Sequence, residues 1–452
     1  MQSSKKVRGS NSRRRVKKSA VAILLAIVLC VSFIVYKGIG LISQSFAPFE
    51  VSSVEQSYTS ETYADLSANV RYTNDKKLNK VIDQNIAKIL DENSNLFLDK
   101  GKSLDIIPSY AKEYDLLSYV LADQEGNLNN VYGSFIINLK NHDIILPSDL
   151  LGEDLKGLSM ILRNELKKDE NLKYNKNMYL NTLPEIKTFE HMIFDDAGMT
   201  LYFEKDSFET DTYKKATISY FDLLDYLNEI SVSVFSKDYV QKDVSHIRYI
   251  DPLKPMISFT FDDGPVAANT LDLAQYFESK GQRVTYFMLG SRIAGNEDLI
   301  KQLHDMGHEI GNHSYDHPNY NTLTDEQLIV QTEDVSNVIR SITNQKQVLI
   351  RPPYGAANEA VRSKISSPLI FWSVDPEDWK YRDVDLVYAN IDAGATNGGI
   401  ILMHDLYGTT KDAAKRFLDK YENEYQFVTV TELHEYSGAP LVNGQFTSGV
   451  NR

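Results

Sequence analysis

Two adjacent carboxylates follow a short apolar run in residues 260–265, which read TFDDGP. The apolar residues 256–261 are typical of a buried strand, and the Gly-Pro pair is a turn signal that ends it. Successive residues of a strand face opposite ways, so Asp262 and Asp263 can serve one site only where the backbone is free to turn. The pattern predicts a strand that delivers both carboxylates to one site. For this stretch taken alone, a polar strand-to-loop turn without a chemical role is the alternative interpretation.

A second Asp-Asp pair, in residues 194–198 (FDDAG), gives a comparison within the same chain. It lies between the strand-like runs 191–194 and 199–203, and no His or Arg cluster follows it. We therefore predict a hairpin turn at this pair and no chemistry.

Four further polar clusters each begin where a strand-like run stops. They are residues 313–317 (HSYDH), 351–355 (RPPYG), 375–379 (DPEDW) and 402–405 (LMHD). His313 and His317 would lie one above the other on a helix, which suits two ligands of one small metal ion. The only cysteine, Cys30, lies in an apolar N-terminal segment, so any metal must be held by His and carboxylate.

The ordered set of clusters resembles the polysaccharide deacetylases, carbohydrate esterase family four, which carry the NodB homology domain. All five family motifs occur in order, as TFDDG, HSxxH, RPPYG, DxxDW and LMHD, and the resemblance covers residues 255–433. The arrangement of an anchor, a middle region and a C-terminal catalytic domain is similar to the membrane-anchored peptidoglycan N-acetylglucosamine deacetylases of Gram-positive bacteria.

The resemblance implies that Asp263, His313 and His317 hold a catalytic metal ion. Two imidazoles and one carboxylate suit Zn²⁺, although Co²⁺ and other divalent ions can accept the same ligands. The resemblance also implies that Trp379 and Leu402 line the pocket for the acetyl methyl group of the substrate. For these two residues a purely structural role stays open.

The remaining catalytic roles also follow from the resemblance. Asp262 would be the general base on the attacking water, and Arg351 would pair with it and orient it. The backbone N–H of Tyr354 would contribute to binding the substrate oxyanion. His404 would be the general acid for the leaving amine, with Asp378 holding its imidazolium form.

The implied reaction is hydrolysis of the N-acetyl group of peptidoglycan N-acetylglucosamine, which releases acetate and confers resistance to lysozyme. Chitin oligomers, poly-N-acetylglucosamine, xylan acetyl esters and the muramic acid residue stay open as alternative substrates. A non-haem iron oxygenase shares the two-His-one-carboxylate set, but it gives no role to Asp262, Arg351, Asp378 or His404. An inactive wall-binding protein would be expected to carry a damaged motif, and none is damaged here.

From residue 255 onward, strand-like and helix-like segments alternate, which predicts an α/β fold with a parallel sheet and helices outside it. Active sites of such folds lie at the carboxyl ends of the strands, where the motifs fall. The resemblance implies a distorted (β/α) barrel. The predicted helices are 270–280, 297–306, 325–342, 384–393 and 412–422, and the predicted strands are 284–288, 308–311, 348–350, 369–374, 400–403 and 427–430.

Residues 66–240 show a mixed pattern that predicts a smaller α+β region. Two apolar faces at helical spacing run through residues 78–90 and 158–166. Strand-like runs occupy 116–121, 134–139 and 216–220, with a turn at 141–143. His142, His191 and His246 are scattered through this part of the chain, so we interpret them as structural.

The N-terminus predicts a membrane anchor. Residues 1–18 carry eight Lys or Arg and no acid, and a long apolar segment follows. The basic flank keeps the N-terminus cytoplasmic and the rest of the chain outside, as a single-pass protein of the cell membrane. A cleaved signal peptide is the alternative, but no small-x-small site closely follows the apolar run.

The formal net charge is −14, of which residues 1–18 contribute +8, leaving −22 for the remainder. An exterior this acidic argues against nucleic acid as a partner, because phosphate binding needs clustered cations. The expected partners are peptidoglycan glycan strands and, through the N-terminal helix, the membrane. The predicted organisation is a basic tail (1–18), a transmembrane signal anchor (19–41), a stalk (42–65), the α+β region (66–240), the deacetylase domain (250–437) and a flexible tail (438–452).

The anchor can be tested by adding protease to intact wall-less cells. The protease should remove the bulk of the chain, because everything after residue 41 is expected outside the membrane. Recovery of a soluble, shortened chain that begins after Phe46 in fresh secretions would show that the segment is cleaved instead.

Overall fold

The computed structural model describes residues 52–58, 66–97, 103–123, 130–228, 231–232, 235–236, 238–244 and 247–452. The basic tail, the predicted anchor over 19–41 and His246 lie outside the described residues, so these assignments stay predictions. Within the described part of the chain, none of the helices combines the length and the apolar character that a membrane span requires.

The N-terminal part of the described chain forms a six-stranded sheet in sequential order. Its strands are β1 Ser52–Tyr58, β2 Leu66–Tyr72, β3 Ser103–Ala111, β4 Leu116–Asp123, β5 Val131–Asn138 and β6 Ile144–Ile145. The prediction of a stalk over 42–65 is wrong where β1 pairs antiparallel with β2. An edge strand is held by backbone hydrogen bonds, which need no apolar periodicity.

The helix Lys76–Glu92 connects β2 to β3, which run parallel. It begins at Asp75, whose side chain accepts from the N–H groups of Lys77 and Leu78. The predicted apolar face is confirmed, because Leu78, Ile82, Ile86, Ile89 and Leu90 are buried.

A three-stranded antiparallel sheet follows, formed by β7 Met192–Asp195, β8 Gly198–Phe203 and β9 Lys214–Ser219. The helices of this part are Pro147–Leu150, Lys156–Leu166, Lys176–Leu180 and Tyr220–Leu223. The hairpin predicted at the second Asp-Asp pair is confirmed. Oδ1 of Asp195 accepts from the backbone N–H of Ala197 at 2.7 Å and of Gly198 at 3.2 Å, which uses this carboxylate to close the turn.

The C-terminal part contains a curled parallel sheet. Its strands are β10 Met256–Asp262, β11 Thr285–Met288, β12 Glu309–Asn312, β13 Leu369–Ile370, β14 Ile400–His404 and β15 Gln426–Phe427. Single bridges join Asn312 to Ile350, Ile350 to Leu369, and Val374 to Ile401. The run 369–374 therefore contacts both edges of the sheet, which gives the α/β fold the curled, barrel-like form that was expected.

Helices cover the outside of this sheet. They are Ala267–Ser279, Glu297–Asp305, Asp325–Ile329, Val335–Thr343, Glu359–Arg362, Val384–Gly394, Gly408–Tyr421 and Val430–Ser437. The single helix predicted over 325–342 is interrupted by a π-helical segment, Val330–Asp334. The strand predicted over 427–430 stops at Phe427, because Thr429 caps the helix Val430–Ser437.

The prediction of a flexible tail over 438–452 is wrong. A further strand, β16 Phe446–Thr447, pairs parallel with β13, and Val450 N donates to Gly398 O at 2.9 Å. The short strand β13 leaves backbone groups available at its edge, and the tail pairs with them through its own backbone. Gly and Ser content says little about such pairing.

The α+β region and the parallel-sheet region share a core around Arg163, which is fully buried in the helix Lys156–Leu166. Its guanidinium donates to Thr182 Oγ1 at 2.9 Å and Tyr179 O at 3.1 Å within its own region. It also donates to Ile250 O at 2.7 Å and lies 5.5 Å from the ring centre of Tyr436. A buried cation with donors in both directions fixes one region against the other.

Candidate active site

The first Asp pair lies where the sequence predicts it, at the carboxyl end of β10. Asp262 is the last residue of the strand and is 2% exposed. Asp263 has φ 69°, a left-handed conformation that Asp adopts more readily than most residues. The chain turns there, so Asp262 Oδ2 and Asp263 Oδ1 both lie 3.6 Å from Nε2 of His313.

The two motif histidines are brought together by a tight turn, so the helix considered for residues 313–317 is wrong. Ser314 has φ 77° and His317 has φ 67°. Asn312 Oδ1 accepts from Ser314 N at 2.7 Å, and Ser314 Oγ accepts from His317 N at 2.9 Å. These side-chain bonds compete with helix formation. The ring centres of His313 and His317 nevertheless lie 5.0 Å apart.

Asp263, His313 and His317 form a candidate metal site, since one ligand atom from each lies within 4.8 Å of the others. His313 Nδ1 donates to Arg351 O at 2.7 Å, which leaves the lone pair of Nε2 directed to the cluster. Burial and the neighbouring His313 ring lower the pKa of His317, although Asp263 opposes this, and the net shift favours the neutral imidazole that a metal ligand requires.

Asp263 Oδ1 is buried and has no hydrogen-bond partner within the described chain. A buried carboxylate oxygen without a donor is costly, and a cation would satisfy it. The residues present therefore fit a divalent metal ion.

Arg351 is completely buried beside this cluster. Its Nη1 donates to Asp262 Oδ1 at 2.8 Å and to Thr260 Oγ1 at 2.7 Å, while Nη2 donates to Phe371 O at 3.1 Å. Burial lowers the pKa of the guanidinium, and the charge of Asp262 and the hydrogen bond to it act in the opposite direction. The hydrogen bond from Arg351 holds Oδ1 of Asp262 and leaves Oδ2 facing His313, whose Nε2 lies 3.6 Å away.

His404 is the last residue of β14 and lies in register with Asp262 on β10. Its Nδ1 donates to Asp378 Oδ1 at 2.8 Å, and Asp378 Oδ2 accepts from His404 N at 2.8 Å and from Thr410 Oγ1 at 2.7 Å. Burial alone would lower the pKa of His404. The hydrogen bond and charge of Asp378, together with the charges of Asp262 and Asp263, outweigh burial and raise this pKa to about 9. The imidazole is therefore protonated at neutral pH.

The three predicted substrate-binding residues have different surroundings. Tyr354 has φ 58°, and its exposed ring lies edge-on to His317 with centres 4.6 Å apart. Leu402 is buried and lies two residues before His404, on the same face of β14. Trp379 is half exposed and its indole N–H reaches Asp375 Oδ2 at 3.5 Å, so its role as a pocket wall stays a prediction.

Sequence reasoning assigned no role to Asp405, although this residue directly follows His404 in the LMHD motif. Asp405 is fully buried and accepts a hydrogen bond from Thr270 Oγ1. Burial raises its pKa to about 7. A Cβ at Gly264 would lie 2.7 Å from either carboxylate oxygen of Asp405, so this carboxyl group packs directly on the turn that carries Asp263. The sequence did offer a signal for Asp405, because it is the last residue of the LMHD motif and the only charged residue of that motif without an inferred role.

The family profile described as "Polysaccharide deacetylase" matches residues 250–367. The chain is 30% identical over 319 residues to the peptidoglycan-N-acetylmuramic acid deacetylase PdaC of Bacillus subtilis, which covers 64% of this chain and 65% of PdaC. It is 38% identical over 179 residues to the peptidoglycan-N-acetylglucosamine deacetylase PgdA of Listeria monocytogenes, which covers 39% of this chain and 38% of PgdA. The chain thus matches less than two thirds of the length of these two relatives.

A peptidoglycan-N-acetylglucosamine deacetylase of Bacillus cereus is matched over most of its length. The identity is 33% over 193 residues, which covers 40% of this chain and 89% of the relative. The match falls on a chain whose five motifs meet at one end of a parallel sheet. This chain therefore belongs to the polysaccharide deacetylase family.

Proposed function

We propose that this chain is a metal-dependent hydrolase that removes the N-acetyl group from N-acetylglucosamine residues of cell-wall peptidoglycan and releases acetate. The observation that carries the proposal is that a candidate metal site, the proposed base Asp262 and the proposed acid His404 lie together at the ends of the adjacent strands β10 and β14. Asp262 is held by a buried arginine and His404 by a buried aspartate, while the metal cluster lies beside Asp262. The peptidoglycan deacetylases among the relatives support a cell-wall substrate.

Asp263, His313 and His317 would hold the divalent ion, which we propose to be Zn²⁺ or Co²⁺. When bound, such an ion supplies a Lewis acid that polarises the acetyl carbonyl and lowers the pKa of water. The hydrogen bond from His313 Nδ1 to Arg351 O fixes the ring that presents Nε2.

Asp262 acts as general base. Its Oδ1 is engaged by Arg351, so Oδ2 takes the proton of the water that attacks the acetyl carbon. Because Arg351 is fully buried and held by several acceptors, it keeps the carboxylate in one orientation throughout the reaction. The backbone N–H of Tyr354 is proposed to donate to the oxyanion that forms.

His404 acts as general acid. Water adds to the carbonyl carbon, the C–N bond breaks, and His404 Nε2 gives its proton to the departing amide nitrogen, which leaves as an amine. Asp378 accepts from His404 Nδ1 and so keeps the ring cationic before transfer. The product amine is cationic near neutral pH, and lysozyme that reads the N-acetyl group should then bind the wall poorly.

Mass spectrometry of wall muropeptides from cells with and without this chain tests the substrate. The proposal expects glucosamine without its acetyl group only where the chain is present. Loss of acetyl from muramic acid would favour a second candidate function, deacetylation of N-acetylmuramic acid in peptidoglycan. The 30% identity to PdaC over 319 residues supports this candidate. Unchanged muropeptides would contradict both.

The neighbouring aspartates should respond differently to substitution. Asp263→Ala should lose bound metal and activity, because it removes a ligand. Asp262→Asn should keep the metal and slow acetate release by about 10²- to 10⁴-fold, because it removes only the base. Metal content of the purified variants and acetate release are measured together. An Asp262→Asn protein without metal beside a loaded Asp263→Ala protein would reverse the assignment.

The acid role of His404 predicts a substrate-dependent defect. His404→Ala should slow amide hydrolysis by about 10² to 10⁴, since an amine leaves only with a proton. A nitrophenyl acetate leaves without that help, so ester hydrolysis should suffer much less. Equal losses on both substrates for a folded, metal-loaded His404→Ala protein would contradict the role.

The pH profile supplies the control for this prediction. The active form needs protonated His404, so activity should fall as the pH rises through the pKa of about 9. Asp378→Asn removes the hydrogen-bonding charge that raises this pKa, so it should move the upper limb to lower pH. An unmoved limb would assign the limb to another group.

A further inference from the structure

A π-helical segment, Val330–Asp334, lies against the loop that carries the two motif histidines. A π segment shifts the hydrogen-bond register of a helix, so its carbonyl groups can bond outside the helix, and such segments occur often at functional sites. Here the carbonyl oxygens of Gln331 and Thr332 accept from Asn312 Nδ2 at 3.2 and 2.9 Å. These bonds attach the helix to Asn312, the residue that directly precedes His313.

The side chain of Gln331 contacts the middle of the same loop. Its Oε1 accepts from Tyr315 N at 2.6 Å and from Asp316 N at 3.4 Å, and its Nε2 donates to Asp316 Oδ1 at 2.8 Å. Gln331 is 8% exposed, whereas Tyr315 and Asp316 are exposed, so these bonds lie at the boundary between the buried face of the helix and the exposed loop. Tyr315 and Asp316 are two of the three residues between His313 and His317, so one glutamine holds most of the backbone that separates them.

The loop needs such support because its backbone is strained. Ser314 at φ 77° and His317 at φ 67° occupy the left-handed region that favours glycine. Conformations of this kind persist only where surrounding contacts determine them. Asn312 holds the start of the loop through Ser314 N, and Gln331 holds its centre.

We propose that Gln331 is a positioning residue that sets the spacing of His313 and His317 for the divalent ion, and that the π-helical segment exists to bring it there. The inference rests on the proposed metal site. It adds Gln331, which lies outside the five motifs, as a residue that positions two of the three proposed ligands. If Gln331 is lost, the strained loop relaxes and the ligand nitrogens of His313 and His317 no longer converge on one metal ion. Gln331 bonds the loop between the two ligands and not the imidazoles, so it acts through the backbone. Groups that orient metal ligands contribute about 10- to 100-fold in metal affinity.

A merely structural Gln331 would satisfy buried polar groups and affect only stability. The two roles separate in the dissociation constant for the metal, measured on the folded full-length chain with Zn²⁺ or Co²⁺. They also separate in the visible absorption of the Co²⁺-loaded protein, which reports the ligand geometry directly. Neither measurement depends on catalytic activity.

Gln331→Glu sets a carboxylate against Asp316 and removes the donor. We expect the metal dissociation constant to rise about 10- to 100-fold and the Co²⁺ spectrum to change. Asp316→Asn alone should stay within about 3-fold of wild type, because Gln331 Nε2 can donate to the amide oxygen. The double variant Gln331→Glu/Asp316→Asn restores a donor facing an acceptor, so its dissociation constant should return to within about 3-fold of wild type.

Gln327→Glu is the matched control, because it is the same chemical change earlier in the same helical stretch. Gln327 Oε1 accepts from Thr324 N at 2.9 Å in a capping box, which a glutamate also forms. Its metal affinity should equal that of wild type. Gln331→Met, which is uncharged and of similar length, replaces Gln331→Glu if the charged variant does not fold, and it should also weaken metal binding.

A folded single variant, Gln331→Glu or Gln331→Met, that binds metal as tightly as wild type would overturn the inference, as would a double variant that is no tighter than Gln331→Glu alone. A lowered unfolding temperature with unchanged affinity would assign Gln331 to stability only. If wild type itself binds neither ion, the proposed function fails and this inference fails with it, whereas unchanged affinity in the single variants overturns the inference alone. The two failures are therefore distinguishable.

Discussion

The buried guanidinium of Arg351 is the interaction on which the rest of the site depends. Its side chain bonds Asp262 and Thr260 on β10 and the carbonyl group of Phe371, while its own carbonyl group accepts from His313 Nδ1. One residue thus joins three parts of the barrel wall and orients both the proposed base and a proposed metal ligand. A buried cation is tolerated only when its donors are satisfied, and this requirement fixes the positions of the surrounding acceptors.

The site also concentrates backbone strain. Nine non-glycine residues in the described chain have positive φ, and five of them lie in four of the five motif clusters: Asp263, Ser314, His317, Tyr354 and Glu377. Each such conformation costs about 1 to 3 kcal/mol and needs surrounding structure to maintain it. The strands end at these points, so the strained residues can turn side chains towards one another. Stability supplied by the apolar core offsets the strain at the carboxyl ends of the strands.

The α+β region is part of the same packed body as the parallel sheet. Buried Arg163 bonds groups on both sides, and Lys167 lies 3.3 Å from Glu435 on the helix Val430–Ser437. That helix also contacts the sheet through Glu309, which accepts from Thr285 on β11 and Thr431 N. The middle region thus packs on the helix Val430–Ser437 and on Ile250, which precedes β10.

The sequence by itself determined the alternating α/β pattern, the hairpin at the second Asp pair and the five clusters, because these depend on local periodicity, turn residues and spacing. Membership of the family followed from the motifs. Only the tertiary structure decided that His313 and His317 meet across a turn, that β16 pairs with β13, and that Gln331 reaches the loop from a π-helical segment. Each of these features depends on partners distant in sequence. Their hydrogen bonds form only after the chain has folded, so no local pattern carries them.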